Sequence, residues 1–305
     1  MLSGERLRHA ARRRYGFTLI ELVVILIVGG IVLALTVSVG NKLHRQLRAF
    51  GARIASDEQL RTAATILPLD LRPLSSAAGD IHAGEARDTS LEVNVTVANA
   101  IVCSAGADDL VLAPFTTSSG EVAGTSIQPG DALWLLVDTD SVEQWRVMSA
   151  RDVGAAAACP PLASGDPRPP FALDRAVRVR VGAEHIAFAM QGAPVRVTRP
   201  VRYNLYRASD GQWYLGLRSW SVEAARFAAV QPVSGPYRPP ASEPGSGTRL
   251  RYFDARGTEL SAGLLDTRRI TRIEWVFRPA APTSAREARA AGDSLLLVVA
   301  LRNAR

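Results

Sequence analysis

Glu21 is the only charged side chain between Arg14 and Lys42. From Phe17 to Val39 its neighbours are apolar or small, apart from Thr18, Thr36 and Ser38. A carboxylate at the centre of a bilayer costs roughly 2.5–3.5 kcal/mol on insertion scales, so one set in such a run calls for a partner. The remaining chemistry is sparse. Cys103 and Cys159 are the only cysteines; outside the cytoplasm two cysteines favour a disulfide, with two buried thiols as the alternative. They cannot make a four-cysteine zinc site. The histidines, His9, His44, His82 and His185, have no His-x-x-x-His spacing, which argues against a transition-metal centre. Asp108 with Asp109, and Asp138 with Asp140, offer oxygen ligands without an EF-hand pattern, and are expected to be turn carboxylates rather than a calcium site. No Gly-x-Ser-x-Gly motif and no phosphate-binding glycine loop occurs. The sequence predicts no metal, no cofactor and no enzyme active site.

The element that positions Glu21 is a membrane-length helix. Its 23 residues from Phe17 to Val39 rise about 34 Å as an α-helix, enough to cross a bilayer core. Residues 1–16 hold five arginines, one glutamate and no apolar stretch. A secretory signal places its apolar region before the cleavage site and discards it; here the apolar region follows Gly16 and would be retained. Arg12, Arg13 and Arg14 lie directly before the span, which keeps the leader cytoplasmic and sends the C-terminal part outward. The leader's five Arg and one Glu amount to +4 of the formal +7, leaving +3 for the chain from Phe17 onward. A net charge that small argues little for nucleic-acid binding.

The order Gly16-Phe17-Thr18-Leu19-Ile20-Glu21-Leu22, behind a basic leader and ahead of a membrane-length helix, resembles the N-terminal segment of type IV pilins and pseudopilins. The resemblance implies that a prepilin peptidase cuts between Gly16 and Phe17 and methylates the new amino group of Phe17. That amine and Glu21 would be opposite charges in a low-dielectric medium, where each stabilises the other far more than in water. Residues four apart share a helix face, so an intramolecular pair is geometrically possible. In the pilin family the favoured account pairs the glutamate with the amine of a neighbouring subunit. The spacing fits both. Many pilins carry a proline in the second half of this helix; here there is none between Phe17 and Leu67.

Beyond the span, Leu43, Leu47, Phe50 and Ile54 recur at spacings of four, three and four, with Arg45, Arg48, Arg53, Asp57 and Glu58 on other faces. This predicts an amphipathic continuation over residues 41–67 that packs on a folded domain, ended or kinked by Pro68 and Pro73. Gly29-Gly30 interrupts helix propensity inside the span, where it permits bending or close packing. After residue 85 the period changes to two. Leu91, Val93, Val95 and Val97 alternate with Glu92, Asn94 and Thr96. Further strand-like runs cover 132–137, 142–148, 176–181, 203–207, 213–218, 250–254, 270–277 and 294–301. Asp210-Gly211 signals a hairpin between two of them. Pro-, Gly- and Ser-rich stretches at 159–170 and 232–247 are expected to be exposed loops. The five tryptophans, Trp134, Trp145, Trp213, Trp220 and Trp275, sit within or beside strand patterns and are expected in the core or between sheets.

The predicted class is therefore α+β, a long N-terminal helix packed on an antiparallel β-rich head. The expected organisation is a leader over 1–16, an assembly helix over 17–40, its continuation over 41–67, and one head over 68–305. Val201-Arg202-Tyr203-Asn204-Leu205-Tyr206, Gln212-Trp213-Tyr214-Leu215-Gly216-Leu217-Arg218 and Leu250-Arg251-Tyr252-Phe253-Asp254-Ala255-Arg256-Gly257 add a looser resemblance to large minor pilins of the pilin W type and to pseudopilin J of type II secretion. Both resemblances imply a structural subunit in the inner membrane with its head in the periplasm, or outside the cell in an extended pilus. The implied partners are other pilins, the prepilin peptidase, an assembly platform and the membrane. A membrane-anchored adhesin or DNA-binding module is the alternative, and a periplasmic enzyme a more distant one.

Overall fold

A computed structural model describes residues 18–116, 126–139, 142–156, 159, 171, 173–182, 186, 189–240, 247–261, 266–280 and 294–302. The one α-helix among these residues, α1, runs from Leu19 to Leu71. Pro68 lies inside its last turn, where a missing N–H removes only one ladder bond. The turn still closes, because the Arg72 amide donates to the Pro68 carbonyl at 3.1 Å. The helix ends before Pro73 rather than at Pro68.

Among the described residues fourteen strands follow: β1 (Ser90–Ala105), β2 (Asp109–Pro114), β3 (Ala132–Thr139), β4 (Val142–Ser149), β5 (Asp152–Ala155), β6 (Val177–Arg180), β7 (Pro194–Arg207), β8 (Trp213–Ser221), β9 (Arg226–Phe227), β10 (Gln231–Tyr237), β11 (Arg249–Phe253), β12 (Glu259–Leu260), β13 (Arg272–Phe277) and β14 (Leu295–Ala300). They form a ten-stranded sheet whose main path is β10-β8-β7-β1-β2-β6-β5, with β3 on β7, β4 on β3 and β9 on β8. A second, four-stranded sheet has the order β12-β11-β13-β14. The strand pairs are antiparallel throughout.

The chain divides into two units, one up to Ile54 and one from Ala55 onward. In the second unit, Leu60, Ala63, Leu67 and Leu71 of α1 are buried at spacings of three and four. They join Leu91, Val93, Val201 and Tyr203 from the large sheet and Leu250, Ile273, Trp275 and Phe277 from the small one in a single core. The end of the helix is thus the wedge on which both sheets close. Truncating Leu67 or Leu71 to alanine would cost about 2–5 kcal/mol. A second core fills the other part of the large sheet, from Val102, Leu112, Leu133, Leu135, Val179, Val195 and Val197. Several strands depart from the sequence expectation: β2 and β5 lie where no strand-like run was expected, and β7 begins at Pro194, well ahead of 203. The stretch from 232 onward, expected to be a loop, begins within β10. Its Pro232 and Pro236 fit because β10 is an edge strand with register shifts at both prolines, where absent N–H groups break no continuous ladder. The Asp210-Gly211 hairpin forms between β7 and β8, with Gly211 at φ +80°.

Polar ties hold these layers in register. Tyr203 donates its hydroxyl to Asp70 Oδ2, joining β7 to the last turn of α1. Burial pushes the Asp70 carboxyl up from the ordinary carboxylate range, partly opposed by that bond. Tyr252 donates to the carbonyl of Arg87 at 2.8 Å, tying the small sheet to the entry of β1. Burial raises the phenols of Tyr203 and Tyr252 far above their usual range and that of Tyr237 to about 12. An unfolded tyrosine ionises near pH 10, so the folded state keeps protons that the unfolded state loses above that pH. Stability from these three phenols is complete below pH 10 and falls as pH rises beyond it. The head is expected to unfold in alkali, with their ionisation coinciding with loss of circular dichroism. Ionisation of all tyrosines without unfolding would contradict the burial argument.

Candidate processing and assembly site

Thr18 precedes the first helical residue, and Glu21 is the third residue of α1. The two side chains cap the helix reciprocally. Thr18 Oγ1 accepts from the Glu21 amide at 3.4 Å, while Glu21 Oε2 accepts from the Thr18 amide at 3.4 Å. The Thr18 hydroxyl lies 3.5 Å from the same carboxylate oxygen. This is the capping-box arrangement, Thr-x-x-Glu, and it satisfies amides that a helix start leaves without partners. The contacts are long, so the carboxylate retains capacity for a further partner. The Thr18-x-x-Glu21 spacing was readable in the sequence, but the apolar surroundings of Glu21 drew attention to its charge instead. Gly16, Phe17 and the flank Arg12, Arg13 and Arg14 lie outside the described residues.

From Glu21 onward α1 is the one helix among the described residues long and apolar enough to cross a membrane. Among the described residues its apolar side chains Leu22, Ile25, Leu26, Val32, Leu33 and Val39 are all exposed. The stripe expected to pack on a folded domain is exposed too, as Leu43, Leu47, Phe50 and Ile54 are each more than half accessible. Its spacing continues to Asp57, Glu58 and Arg61, also exposed, because the buried face of α1 is built from Leu60, Ala63, Leu67 and Leu71 instead.

The head separates the other candidate residues. Cys103 and Cys159 are joined by a disulfide with Cα atoms 5.3 Å apart, beside Ile101, Ala113 and Phe171. The bridge closes a loop of sequence separation 56, so by chain entropy its reduction is expected to lower stability by about 4 kcal/mol. Urea unfolding with and without reductant measures this, and equal midpoints would contradict it. Asp109 pairs with Arg178 at 3.1 Å and Asp108 with Arg180 at 3.4 Å, which makes them partners of β6. His82 places Nε2 3.1 Å from Asn94 Oδ1 and Nδ1 3.6 Å from Glu92 Oε1, and Glu92 in turn accepts from Arg202. His44 is exposed on α1. His185, Asp140 and the Asp138 side chain lie outside the described residues. Among the described residues no three His, Cys, Asp or Glu side chains converge as a metal site would require. Trp275 is in the core, stacked on Phe277. Trp134 donates to Thr198 Oγ1 at 2.9 Å. Trp145 differs from expectation: it stands on the outer strand β4 and is 48% exposed. Sequence reasoning also missed two ion pairs that hold the head together, Asp80 with Arg196 at 2.9 Å and Asp131 with Arg199 at 2.7 Å. A single acidic or basic residue at the border of a strand carries no signal of its partner.

An apolar N-terminal helix with a capped carboxylate at its start, running on into an antiparallel β-rich head, fits a membrane-anchored protein displaying a folded domain. Residues 11–37 match the prokaryotic N-terminal methylation motif. The matched segment is the type IV pilin signature. Comparison with curated proteins and with solved structures returns no match. The motif implies processing by a prepilin peptidase and assembly with other pilins.

Proposed function

We propose that this chain is a minor pilin or pseudopilin, a structural subunit inserted through α1 into a type IV pilus or a type II secretion pseudopilus. The observation that carries this reading is the methylation motif at residues 11–37, joined to a helix that continues unbroken into a β-rich head. Gly16 is the residue before the cut, Phe17 supplies the methylated amine, and Glu21 answers that amine. Arg12, Arg13 and Arg14 hold the leader in the cytoplasm, and the head stands in the periplasm, or outside the cell once a pilus extends. The disulfide between Cys103 and Cys159 suits such an oxidising compartment. A head unit running from Ala55 to Arg305 would crowd a helical array if repeated, which favours a minor component at or near a filament tip. The segments resembling the pilin W type and pseudopilin J fall largely on β7, β8 and β11. The role is structural rather than catalytic.

Co-expression with a prepilin peptidase tests the reading. The expected product lacks residues 1–16 and carries one added methyl group on Phe17 by mass spectrometry, and Gly16→Val abolishes the shortening. An uncut parent indistinguishable from Gly16→Val would overturn it.

A further inference from the structure

Three arginines of the head gather on one face of the small sheet. Tyr237 bridges Pro279 in antiparallel sense, which sets Arg238 directly opposite Arg278, and the Arg238 amide donates to the Arg278 carbonyl at 2.7 Å. The Arg278 amide donates to Thr248 Oγ1 at 3.2 Å, so Arg238 lies along the edge of β13 that β11 also occupies. On that edge Arg249 pairs with Val276, two residues from Arg278. Tyr237, Leu250 and Phe277 belong to the core. By alternation, Arg238, Arg249 and Arg278 point to the opposite face. Directly opposed side chains hold their Cβ atoms about 4.5–5.5 Å apart and diagonal ones about 7–8 Å. One small ion can therefore meet all three guanidiniums.

Like charges set directly opposite each other are destabilising. Elsewhere on this face the sheet answers its arginines: Arg251 pairs with Glu259 and Glu274, and Arg272 with Glu274. Among the described residues no ion pair reaches Arg238, Arg249 or Arg278. The Glu259 carboxyl is held low chiefly by its bond to Arg251 and only in small part by Arg249. The three arginines are half-buried rather than free in solvent. The Nε atoms of Arg238 and Arg278 are buried without an acceptor, and a donor taken from water and left unmet is costly.

We infer that Arg238, Arg249 and Arg278 form a binding site for a phosphate-class oxyanion, free or carried as a headgroup. A tetrahedral dianion sets oxygens against more than one guanidinium at once and supplies the two charges that the opposed pair lacks. The site is independent of the assembly role proposed above.

Thermal unfolding of the full chain in non-ionic micelles, in phosphate and in chloride at matched ionic strength, tests the site. Phosphate is expected to raise the melting midpoint by about 5 °C, and Arg238→Gln combined with Arg278→Gln to cancel the rise. Arg226→Gln, at an exposed position on β9, keeps it. In chloride, Arg238→Gln melts at or above the parent, because a like-charged neighbour is gone; in phosphate it melts below. Vesicles with and without anionic phospholipid separate the sources, and a midpoint rise that needs the two arginines, from either source, upholds the site. A rise shared equally by the parent and the double variant, or no rise from either source, would overturn the inference. Arg238→Gln melting below the parent in chloride as well would overturn it in favour of a guanidinium held by packing.

Discussion

Glu21→Ala is expected to remove this chain from filaments by about 100-fold or more while leaving the head folded. The substitution deletes two things at once. It takes away the carboxylate that caps Thr18 across 3.4 Å, worth about 0.5–2 kcal/mol. It also takes away the charge proposed to meet the methylated amine of Phe17 in a low-dielectric setting. Removing one member of a buried ion pair costs about 3–5 kcal/mol, and 1.4 kcal/mol is a factor of ten. The second term therefore decides the outcome. Glu21→Gln separates the two, because glutamine can still serve in a capping box but carries no charge. With the charge in control, Glu21→Gln fails nearly as badly as Glu21→Ala. The readout is the fraction of the subunit recovered with sheared filaments against that left in the membrane, with cleavage after Gly16 scored separately. Parent-like incorporation of Glu21→Ala would refute the charge role, and parent-like incorporation of Glu21→Gln alone would reduce it to helix capping.

The difference between the two ends of this chain explains how much of it was legible in advance. The span was readable because a bilayer imposes composition as well as length: from Phe17 to Val39 nearly every position is apolar. The first half of β1 was readable because Leu91, Val93 and Val95 are buried while Glu92, Asn94 and Thr96 are only partly so, which keeps period two in the residues. The head face of α1 was misplaced because two stripes coexist on one helix. Leu43, Leu47, Phe50 and Ile54 form the more regular apolar pattern, yet Leu60, Ala63, Leu67 and Leu71 form the buried one. Periodicity shows that a face is apolar; it does not say whether the chain itself or another molecule covers it. β10 was hidden for the opposite reason, since Pro232, Gly235 and Pro236 suppress strand propensity and only its edge position makes them tolerable. Of the candidate site, Glu21 and its capping partner were visible as spacing. The long-range pairs of the head were not, because Asp80 and Arg196 are brought together by the β1–β7 register and by nothing local.

That pair carries the largest stability effect expected of a single charged side chain in the head. Asp80 is fully buried, in the turn that follows α1. Its Oδ2 accepts from the Ser75 amide at 2.7 Å and from Arg196 Nη1 at 2.9 Å. Arg196, on β7, donates its Nε–H to Thr96 Oγ1 of β1 at 2.8 Å. The aspartate therefore fastens the exit of the helix onto the two central strands. Asp80→Ala leaves the largely buried Arg196 without this counter-charge and takes away the contact of the Ser75 amide with Oδ2, so the head is expected to lose about 3–5 kcal/mol. A domain holds only about 5–15 kcal/mol, so the loss takes up a large share of the total and shows as a clear drop in the urea midpoint. Asp108→Ala is the matched control. Its pair with Arg180 has both side chains more than half exposed, and such pairs contribute at most about 1 kcal/mol. Asp80→Ala combined with Arg196→Met removes the stranded charge along with its partner, and is expected to recover part of the loss. Equal midpoints for Asp80→Ala and Asp108→Ala would show that the turn after α1 is held by packing alone. No recovery in the double variant would show that the cost comes from the lost Ser75 and Thr96 contacts rather than from an uncompensated charge.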